Sequence, residues 1–274
     1  MTGRRVLVTG AASGLGAALT VAFRERGDDV LATDLAPVVE EGARPPAVEE
    51  GVERRSRDRP VDLTLDVTSD ADWAAAVAEV ERRWGGLDVL VNNAGIAGGG
   101  RLDVADLDEW HRVLDVNLLG VVRGLRAFVP MLKRQRSGHI VNVASLAGLV
   151  HPAGMAAYNA AKAGVVALTE TAAHELSPYG VSATAVCPGY FRTNLVSSLE
   201  GRDEAVGALV ARLVAASAVS AEDVAAAVLD GIDRGAELVL PDEGAQSAWL
   251  LKTRDRAAYD ALMRDQAAKL VELA

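Results

Sequence analysis

Short apolar runs alternate along this chain with longer segments whose apolar residues recur at helical spacing. Seven of the runs have the length of strands and are apolar on both faces. They cover residues 6–8, 30–32, 61–67, 89–91, 140–143, 181–186 and 238–240. Strands of this kind, separated by helices, indicate a parallel sheet that is covered on both sides. The pattern therefore predicts an α/β fold with a doubly wound, seven-stranded parallel sheet and helices on both faces.

Helical periodicity fills most of the spaces between these runs. It predicts helices over residues 15–26, 68–84, 106–135 and 154–177. Residues 36–60 are polar and rich in Pro, Glu and Arg, which is typical of a loop or an insertion. Because no repeat or compositional break divides the chain, we expect a single domain over residues 1–240. We expect residues 241–274 to form a helical tail packed on that domain.

The composition excludes several classes of protein. Hydrophobic residues make up 50% of the chain and charged residues 24%, whereas a disordered segment needs low hydrophobicity and high net charge. No apolar stretch approaches the roughly 18 residues of a membrane span, and no secretory signal follows Arg4 and Arg5. A lone cysteine, Cys187, is compatible with a reducing compartment. We therefore expect a cytoplasmic protein with no membrane partner.

The charge balance bears on possible partners. The formal net charge is −10, and nucleic-acid binders present a basic face, so we expect no nucleic-acid partner. The basic residues at 54–59 stand beside acidic ones, which is typical of a solvated loop. The four histidines and Cys187 show no metal-ligand spacing, so we expect no metal site.

The turn after the first strand is rich in glycine. Gly10, Gly14 and Gly16 follow that strand and open the first helix, with Ser13 and Leu15 among them. Glycines here let the backbone bend sharply and let a pyrophosphate approach the helix N-terminus, whose free N–H groups favour anions. The spacing Gly-x-x-x-Gly-x-Gly differs from the commonest fingerprint. Its place between a strand and a helix nevertheless predicts a dinucleotide-binding loop.

Asp34 ends the second strand. A carboxylate at this position accepts hydrogen bonds from the adenosine ribose hydroxyls and repels a 2′-phosphate. Neither Ser13 nor Leu35 supplies the positive charge that a 2′-phosphate requires. We therefore expect NAD as the cofactor, with NADP as the less favoured alternative.

Tyr158 and Lys162 stand four residues apart in the predicted helix over 154–177 and so share one helix face. The ordinary pKa of tyrosine is about 10, too high for a base near neutral pH. A nearby lysine cation, together with an oxidised nicotinamide ring, would stabilise the phenolate and lower that pKa. Ser145, just after the fifth strand, offers a hydroxyl that can hydrogen-bond a substrate oxygen.

Taken in order, these motifs resemble those of the short-chain dehydrogenase/reductase family, the single-domain NAD(P)-dependent oxidoreductases with a Rossmann-like fold. The likeness extends along nearly the whole chain, up to about Leu240. The resemblance adds cofactor contacts at Asp66, Val67, Asn93, Ala94, Gly95, Pro188, Gly189 and Thr193. It also implies a catalytic tetrad of Asn117, Ser145, Tyr158 and Lys162. In that tetrad Asn117 would hold a proton-relay water near the lysine.

The resemblance implies hydride transfer between NAD(H) and a secondary alcohol or ketone. Tyr158 would take the hydroxyl proton in oxidation and donate it in reduction, and Ser145 would stabilise charge on the oxygen. Lys162 would hold the cofactor ribose, so that Tyr158 and Lys162 both face the cofactor. Two alternatives stay open: an NADPH-dependent carbonyl or 3-oxoacyl-thioester reductase, and a non-catalytic dinucleotide-binding regulator on the same fold.

Residues 190–217 stand where the family carries a mobile lid over its substrate. Their apolar members, with Leu146, Leu149 and Met155, predict an apolar pocket for a hydrophobic small-molecule substrate. The tail after residue 240 departs from the family's usual Asp-Gly-Gly ending, which packs in a tetramer. We expect a homodimer or homotetramer, with the helices over 106–135 and 154–177 as the first candidates for the contact. The tail is also a candidate cover for a substrate pocket.

Overall fold

One sheet of seven parallel strands runs through the molecule. The computed structural model describes residues 3–35, 61–193 and 201–271, so the predicted insertion at 36–60 and its basic residues lie outside the described residues. The strands are β1 (Arg5–Thr9), β2 (Asp29–Asp34), β3 (Leu63–Thr64), β4 (Val89–Asn92), β5 (Gly138–Val143), β6 (Val181–Val186) and β7 (Leu238–Val239). Their spatial order is β3-β2-β1-β4-β5-β6-β7. Every neighbouring pair is parallel, which confirms the predicted sheet.

Helices follow most of the strands. They are α1 (Gly14–Glu25), α2 (Asp70–Trp84), α3 (Leu107–Leu114), α4 (Gly120–Gln135), α5 (Ala147–Val150), α6 (Ala156–Leu176), α7 (Glu204–Ala216), α8 (Ala221–Asp233), α9 (Glu243–Arg254) and α10 (Arg256–Val271). Within the described part of the chain, no single helix has the length and apolar character to cross a membrane. The pair α7 and α8, bent by 76°, passes that test only when counted together, by length and composition alone.

The side chains of each central strand alternate between two apolar layers, as the pleat requires. In β1, Leu7 packs into a layer with residues of α2, α4 and α6. Its neighbours Val6 and Val8 pack into the opposite layer, with residues of α1 and α8. All three side chains are fully buried. Helices therefore cover both faces of the sheet, and the carboxyl ends of the strands face one common edge.

The third strand is shorter than predicted. Residues 61–67 form one apolar run, yet only Leu63–Thr64 pairs with β2. The carboxylate of Asp66 accepts hydrogen bonds from the backbone and hydroxyl of Thr68 at 2.8 and 2.7 Å. Ser69 then caps α2 by accepting from Asp72 N–H. This side-chain turn bends the chain out of the sheet before the apolar run ends.

The long helix predicted over 106–135 is interrupted. A π-helical turn, Asp115–Leu119, lies between α3 and α4 and carries the fully buried Asn117. Helical periodicity does not reveal a single extra residue, so the sequence pattern did not indicate this turn. The sequence analysis also assigned no helix to α7 or α8.

The tail after residue 240 consists of the helices α9 and α10. Tyr259 of α10 is buried in the layer formed with α2, α4 and α6, and Trp249, Leu251 and Met263 pack at its margin. The Tyr259 hydroxyl donates a hydrogen bond to the carbonyl of Val150 at the end of α5. The tail helices therefore contact the segment that follows the fifth strand.

Candidate active site

A cavity of about 1050 Å³ opens at the carboxyl ends of the strands. This is the edge at which doubly wound sheets bind their ligands. Sixteen of the predicted site residues line it: Gly10, Ser13, Gly14, Leu15, Asp34, Asp66, Val67, Asn93, Ala94, Gly95, Ser145, Tyr158, Lys162, Pro188, Gly189 and Thr193. The other two, Gly16 and Asn117, lie behind its wall.

The glycine loop needs its glycines for two separate reasons. Gly10 and Gly14 have φ angles of +66° and +52°, a region that disfavours side chains. Gly16 instead packs tightly, since a Cβ there would lie 2.0 Å from the Gly10 carbonyl oxygen and 2.5 Å from Asn93 Nδ2. The first turn of α1 contains no acidic residue, and the Ser13 side chain does not cap it. The loop thus presents the start of a helix to the cavity without a competing carboxylate on the helix.

Thr9 and Asn93 connect this loop to the end of β4. The Thr9 hydroxyl accepts hydrogen bonds from the backbone N–H groups of Asn93 and Ala94, both at 3.0 Å. The Asn93 side-chain amide donates to the carbonyl of Thr9 at 2.8 Å and to that of Gly10 at 3.2 Å. These bonds hold the glycine loop against the end of β4. The two segments therefore keep a fixed position relative to each other where they line the cavity.

Asp34 lies beside the glycine loop. Its carboxylate accepts hydrogen bonds from the backbone N–H of Ala12 at 2.8 Å and of Leu35 at 2.7 Å. Leu35, which follows it, is 59% exposed. The carboxylate is therefore held at the rim of the cavity by the chain's own backbone, with an apolar and not a basic neighbour.

Ser145, Tyr158 and Lys162 meet at the centre of the cavity. Tyr158 and Lys162 share the inner face of α6, and the Lys162 ammonium lies 5.7 Å from the centre of the Tyr158 ring. Lys162 donates a hydrogen bond of 2.9 Å to the carbonyl of Val143 at the end of β5. Ser145 follows that strand and hydrogen-bonds the Tyr158 hydroxyl. The end of β5 thus brings the serine and both helix residues together.

Burial governs the protonation of this group. It raises the pKa of Tyr158 to about 12, against the opposing hydrogen bond from Ser145. It also lowers the pKa of Lys162 to about 8, so the ammonium is still mostly protonated at neutral pH. In the chain itself, desolvation therefore outweighs the hydrogen bond from Ser145 and raises the pKa of Tyr158. The lower tyrosine pKa expected from lysine and oxidised nicotinamide together stays a prediction for the cofactor-bound state.

Asn117 does not line the cavity. Its amide Nδ2 donates to the carbonyl of Ile96 and its Oδ1 accepts from the Ile96 N–H, each at 2.9 Å. A Cβ on Gly95 would lie 2.8 Å from Asn117 Oδ1 and 3.6 Å from Lys162 Nζ. Both polar atoms of the Asn117 amide are thus hydrogen-bonded to the backbone of Ile96, and the amide lies near Gly95 and Lys162. Its predicted role in holding a water stays a prediction.

The segment after β6 forms another wall. Leu146 N–H donates to the carbonyl of Pro188 at 2.8 Å, and Gly189 N–H donates to Asp242 at 3.0 Å. Arg192 donates to the carbonyls of Ser217 and Ala218 outside the cavity. The predicted pocket residues at 195, 196 and 199 lie outside the described residues.

The substrate end of the cavity is mainly apolar, as the sequence suggested, but several of its residues come from elements that the sequence did not place there. Leu146 and Met155 line it, whereas Leu149 is buried behind it. Val206, Leu209, Val210 and Leu213, from the predicted segment 190–217, line it as well. The lining residues that the sequence analysis missed include Ile96, Val116, Leu262, Met263 and Leu270. The last three belong to α10. The tail was a candidate cover for the pocket, but its amphipathic pattern did not indicate which of its residues would line it.

Comparison with known proteins places the chain in a family. The model for short chain dehydrogenases matches residues 4–204, which include the glycine loop and the Ser145, Tyr158 and Lys162 group. The chain therefore belongs to the short-chain dehydrogenase/reductase family. It is an NAD(P)-dependent oxidoreductase that acts on CH–OH groups and the corresponding carbonyls.

Individual relatives refine this picture. The chain is 40% identical over 197 residues to the trans-4-hydroxycyclohexanecarboxylate dehydrogenase of Sinomonas cyclohexanicum, covering 71% of this chain and 74% of that protein. A Burkholderia phymatum family member in complex with NAD has a TM-score of 0.79 and 29% identity, covering 92% of this chain and 94% of that one. A Burkholderia cenocepacia member in complex with NADP has a TM-score of 0.76 and 28% identity, covering 95% and 97%. Overall likeness therefore does not select the cofactor.

Proposed function

We propose that this enzyme transfers hydride between NAD(H) and a hydrophobic secondary alcohol or ketone. The observation that supports this most strongly is the placing of Ser145, Tyr158 and Lys162 in one cavity with the glycine loop and Asp34. The Sinomonas cyclohexanicum relative, by its name, acts on a ring alcohol. The apolar lining around Tyr158 supports a substrate of that general kind.

The residues at the strand ends fit a dinucleotide. Gly10 and Gly14 give the loop the positive φ angles with which it turns into α1, where N–H groups favour a pyrophosphate. Asp34 would accept the adenosine ribose hydroxyls, with Asp66 and Val67 beside the adenine. Asn93, Ala94, Gly95, Pro188, Gly189 and Thr193 would surround the remainder of the cofactor. When bound, NAD(H) accepts or supplies the hydride.

The chain's own residues would handle the proton. In oxidation, the Tyr158 phenolate takes the proton from the substrate hydroxyl, and in reduction the Tyr158 hydroxyl returns one to the carbonyl oxygen. Ser145 donates a hydrogen bond to the same oxygen as charge develops on it. Lys162 holds the ribose and contributes positive charge beside the phenol. The apolar walls exclude water from the reacting carbon.

We assign NAD and not NADP on the local charge. The Asp34 carboxylate stands where a 2′-phosphate would lie, and repulsion there disfavours NADP. The adjacent Leu35 offers no compensating positive charge.

An NADPH-dependent reductase and a non-catalytic regulator are the competing functions. Measurements of cofactor binding and then of turnover distinguish them from the proposed function. That the protein is cytoplasmic and that it forms a homodimer or homotetramer both stay predictions. The molar mass in solution would test the second.

Binding of NADH and NADPH, measured side by side by nicotinamide fluorescence, tests this assignment. We expect NADH to bind the wild type at least roughly tenfold more tightly, about 1.4 kcal/mol. The double variant D34A/L35R should reverse that preference because it removes the repulsion and adds a cation. The control D29A, at the opposite end of β2, should keep the wild-type preference. NADPH preference in the wild type would contradict the Asp34 assignment, and binding of neither would contradict the proposed function.

A further inference from the structure

The C-terminal helix α10 forms part of the wall of the catalytic cavity. Leu262, Met263, Gln266, Lys269 and Leu270 all line it. Their spacing of three and four residues places them along one stripe of the helix. The family model ends at residue 204, so this wall belongs to a part of the chain that the model does not match.

Two sets of contacts hold this wall against the catalytic residues. Lys252 of α9 and Tyr259 of α10 donate hydrogen bonds to the carbonyls of Leu149 and Val150, the last two residues of α5. The helix α5 begins two residues after Ser145. The tail is therefore attached directly to the segment that carries the catalytic serine.

The far end of α10 reaches the residues around Tyr158. Leu270 packs against the apolar cluster that contains Tyr158, Met155 and Val206. A Cβ built on Gly154 would lie 3.2 Å from both Leu270 Cδ1 and Val206 Cγ2, which shows how closely these elements meet. The stripe on α10 consequently spans the substrate side of the cavity from α9 to α7.

The charges along this side have one sign. Asp34 and Asp66 lie at the cofactor end of the cavity. Beyond the catalytic group, the charged side chains that line it within the described ranges are Arg212 of α7 and Lys269 of α10. Lys269 pairs with Asp265 at 2.7 Å, and a pair this exposed stabilises little. The chain as a whole has a net charge of −10, whereas these two cations create a locally positive electrostatic potential at an apolar pocket.

We infer that Arg212 and Lys269 determine substrate specificity by selecting an alcohol or ketone that also carries a carboxylate. The apolar residues of α7 and α10 would enclose the body of the substrate, and the two cations that line the same cavity would hold its carboxylate. This inference rests on the proposed function and names the substrate class of the same site.

A matched pair of substrates tests the inference: methyl phenyl carbinol and the same secondary alcohol with a para-carboxylate. We compare kcat/KM for NAD-dependent oxidation of the two and take their ratio. In the wild type the carboxylate should be preferred. In the double variant R212E with K269E, that ratio should fall by roughly 10-fold or more, since each exposed pair contributes a factor of a few.

Three controls make the outcome specific. R264E changes an exposed charge on the same helix outside the cavity and should keep the wild-type ratio. R212K with K269R keeps both charges and should keep the preference. Added salt should lower the wild-type ratio, because it screens exposed charges.

The possible failures are distinguishable. An unchanged ratio in R212E with K269E, with both alcohols still oxidised, would overturn the inference and leave the proposed function intact. Oxidation of neither alcohol by the wild type with NAD would count against the proposed function itself. A fall in the ratio for R264E equal to that in the double variant would show a general charge effect, and would also overturn the inference.

Discussion

At Tyr158, burial and hydrogen bonding act on one hydroxyl in opposite directions. Burial raises its pKa to about 12, and the hydrogen bond from Ser145 opposes that rise. The same burial lowers the pKa of Lys162 to about 8. The sequence singled out the three residues as candidates, from the spacing of Tyr158 and Lys162 and from the place of Ser145 after the fifth strand. It did not indicate the size of the desolvation, since that depends on the packing of α6 against β5 and α5.

The pH dependence of turnover follows from these shifts. Oxidation needs the Tyr158 phenolate, so kcat/KM for the alcohol should rise as pH increases from neutral. Reduction needs the phenol, so it should persist at neutral pH and decline only as the tyrosine ionises. S145A should move the apparent pKa upward, because it removes the hydrogen bond that favours the phenolate. Steady-state pH profiles in both directions check this, and oxidation that slows between neutral and mildly alkaline pH would contradict it.

At the scale of elements, the turn between β1 and α1 shows how closely the site depends on backbone approach. Gly16 lies behind the cavity wall against Gly10 and Asn93, and Thr9 ties the same loop to β4. The sequence predicted the loop from its glycines, and the structure adds the reason for Gly16. The short β3 and the π-turn at Asp115–Leu119 were not predictable, because a side-chain turn and one extra residue leave apolar periodicity almost unchanged.

G16A should damage both stability and cofactor binding. Its Cβ would lie 2.0 Å from a backbone oxygen, and overpacking of this kind costs about 1–3 kcal/mol. G207A, at the fourth residue of α7 with nothing within 4 Å of its Cβ, should stabilise the protein by about 0.5–1 kcal/mol. Urea unfolding and NADH titration of both variants provide the measurement. If G16A unfolds and binds NADH like the wild type, the close approach of loop and strand is not as described.

At the scale of the whole molecule, one cavity gathers residues from the strand ends and from the tail. Residues near the cofactor end were predictable, because each follows a strand whose carboxyl end must face the same edge of the sheet. The tail was a candidate cover for the pocket, but the individual α10 residues were not predictable, because an amphipathic helix indicates that it packs without indicating which residues meet its partner. The most distinctive part of the cavity is thus the part that tertiary packing alone determines.

The most direct test of the proposed chemistry compares Y158F with the wild type in NAD-dependent oxidation of a hydrophobic secondary alcohol. NADH formation gives turnover, and fluorescence titration gives the affinity for NADH. We predict that Y158F lowers kcat by roughly a hundredfold to ten-thousandfold, because the proton acceptor is lost, while NADH affinity stays close to that of the wild type. Turnover by Y158F at nearly the wild-type rate would contradict the assignment of Tyr158 as the acid and base.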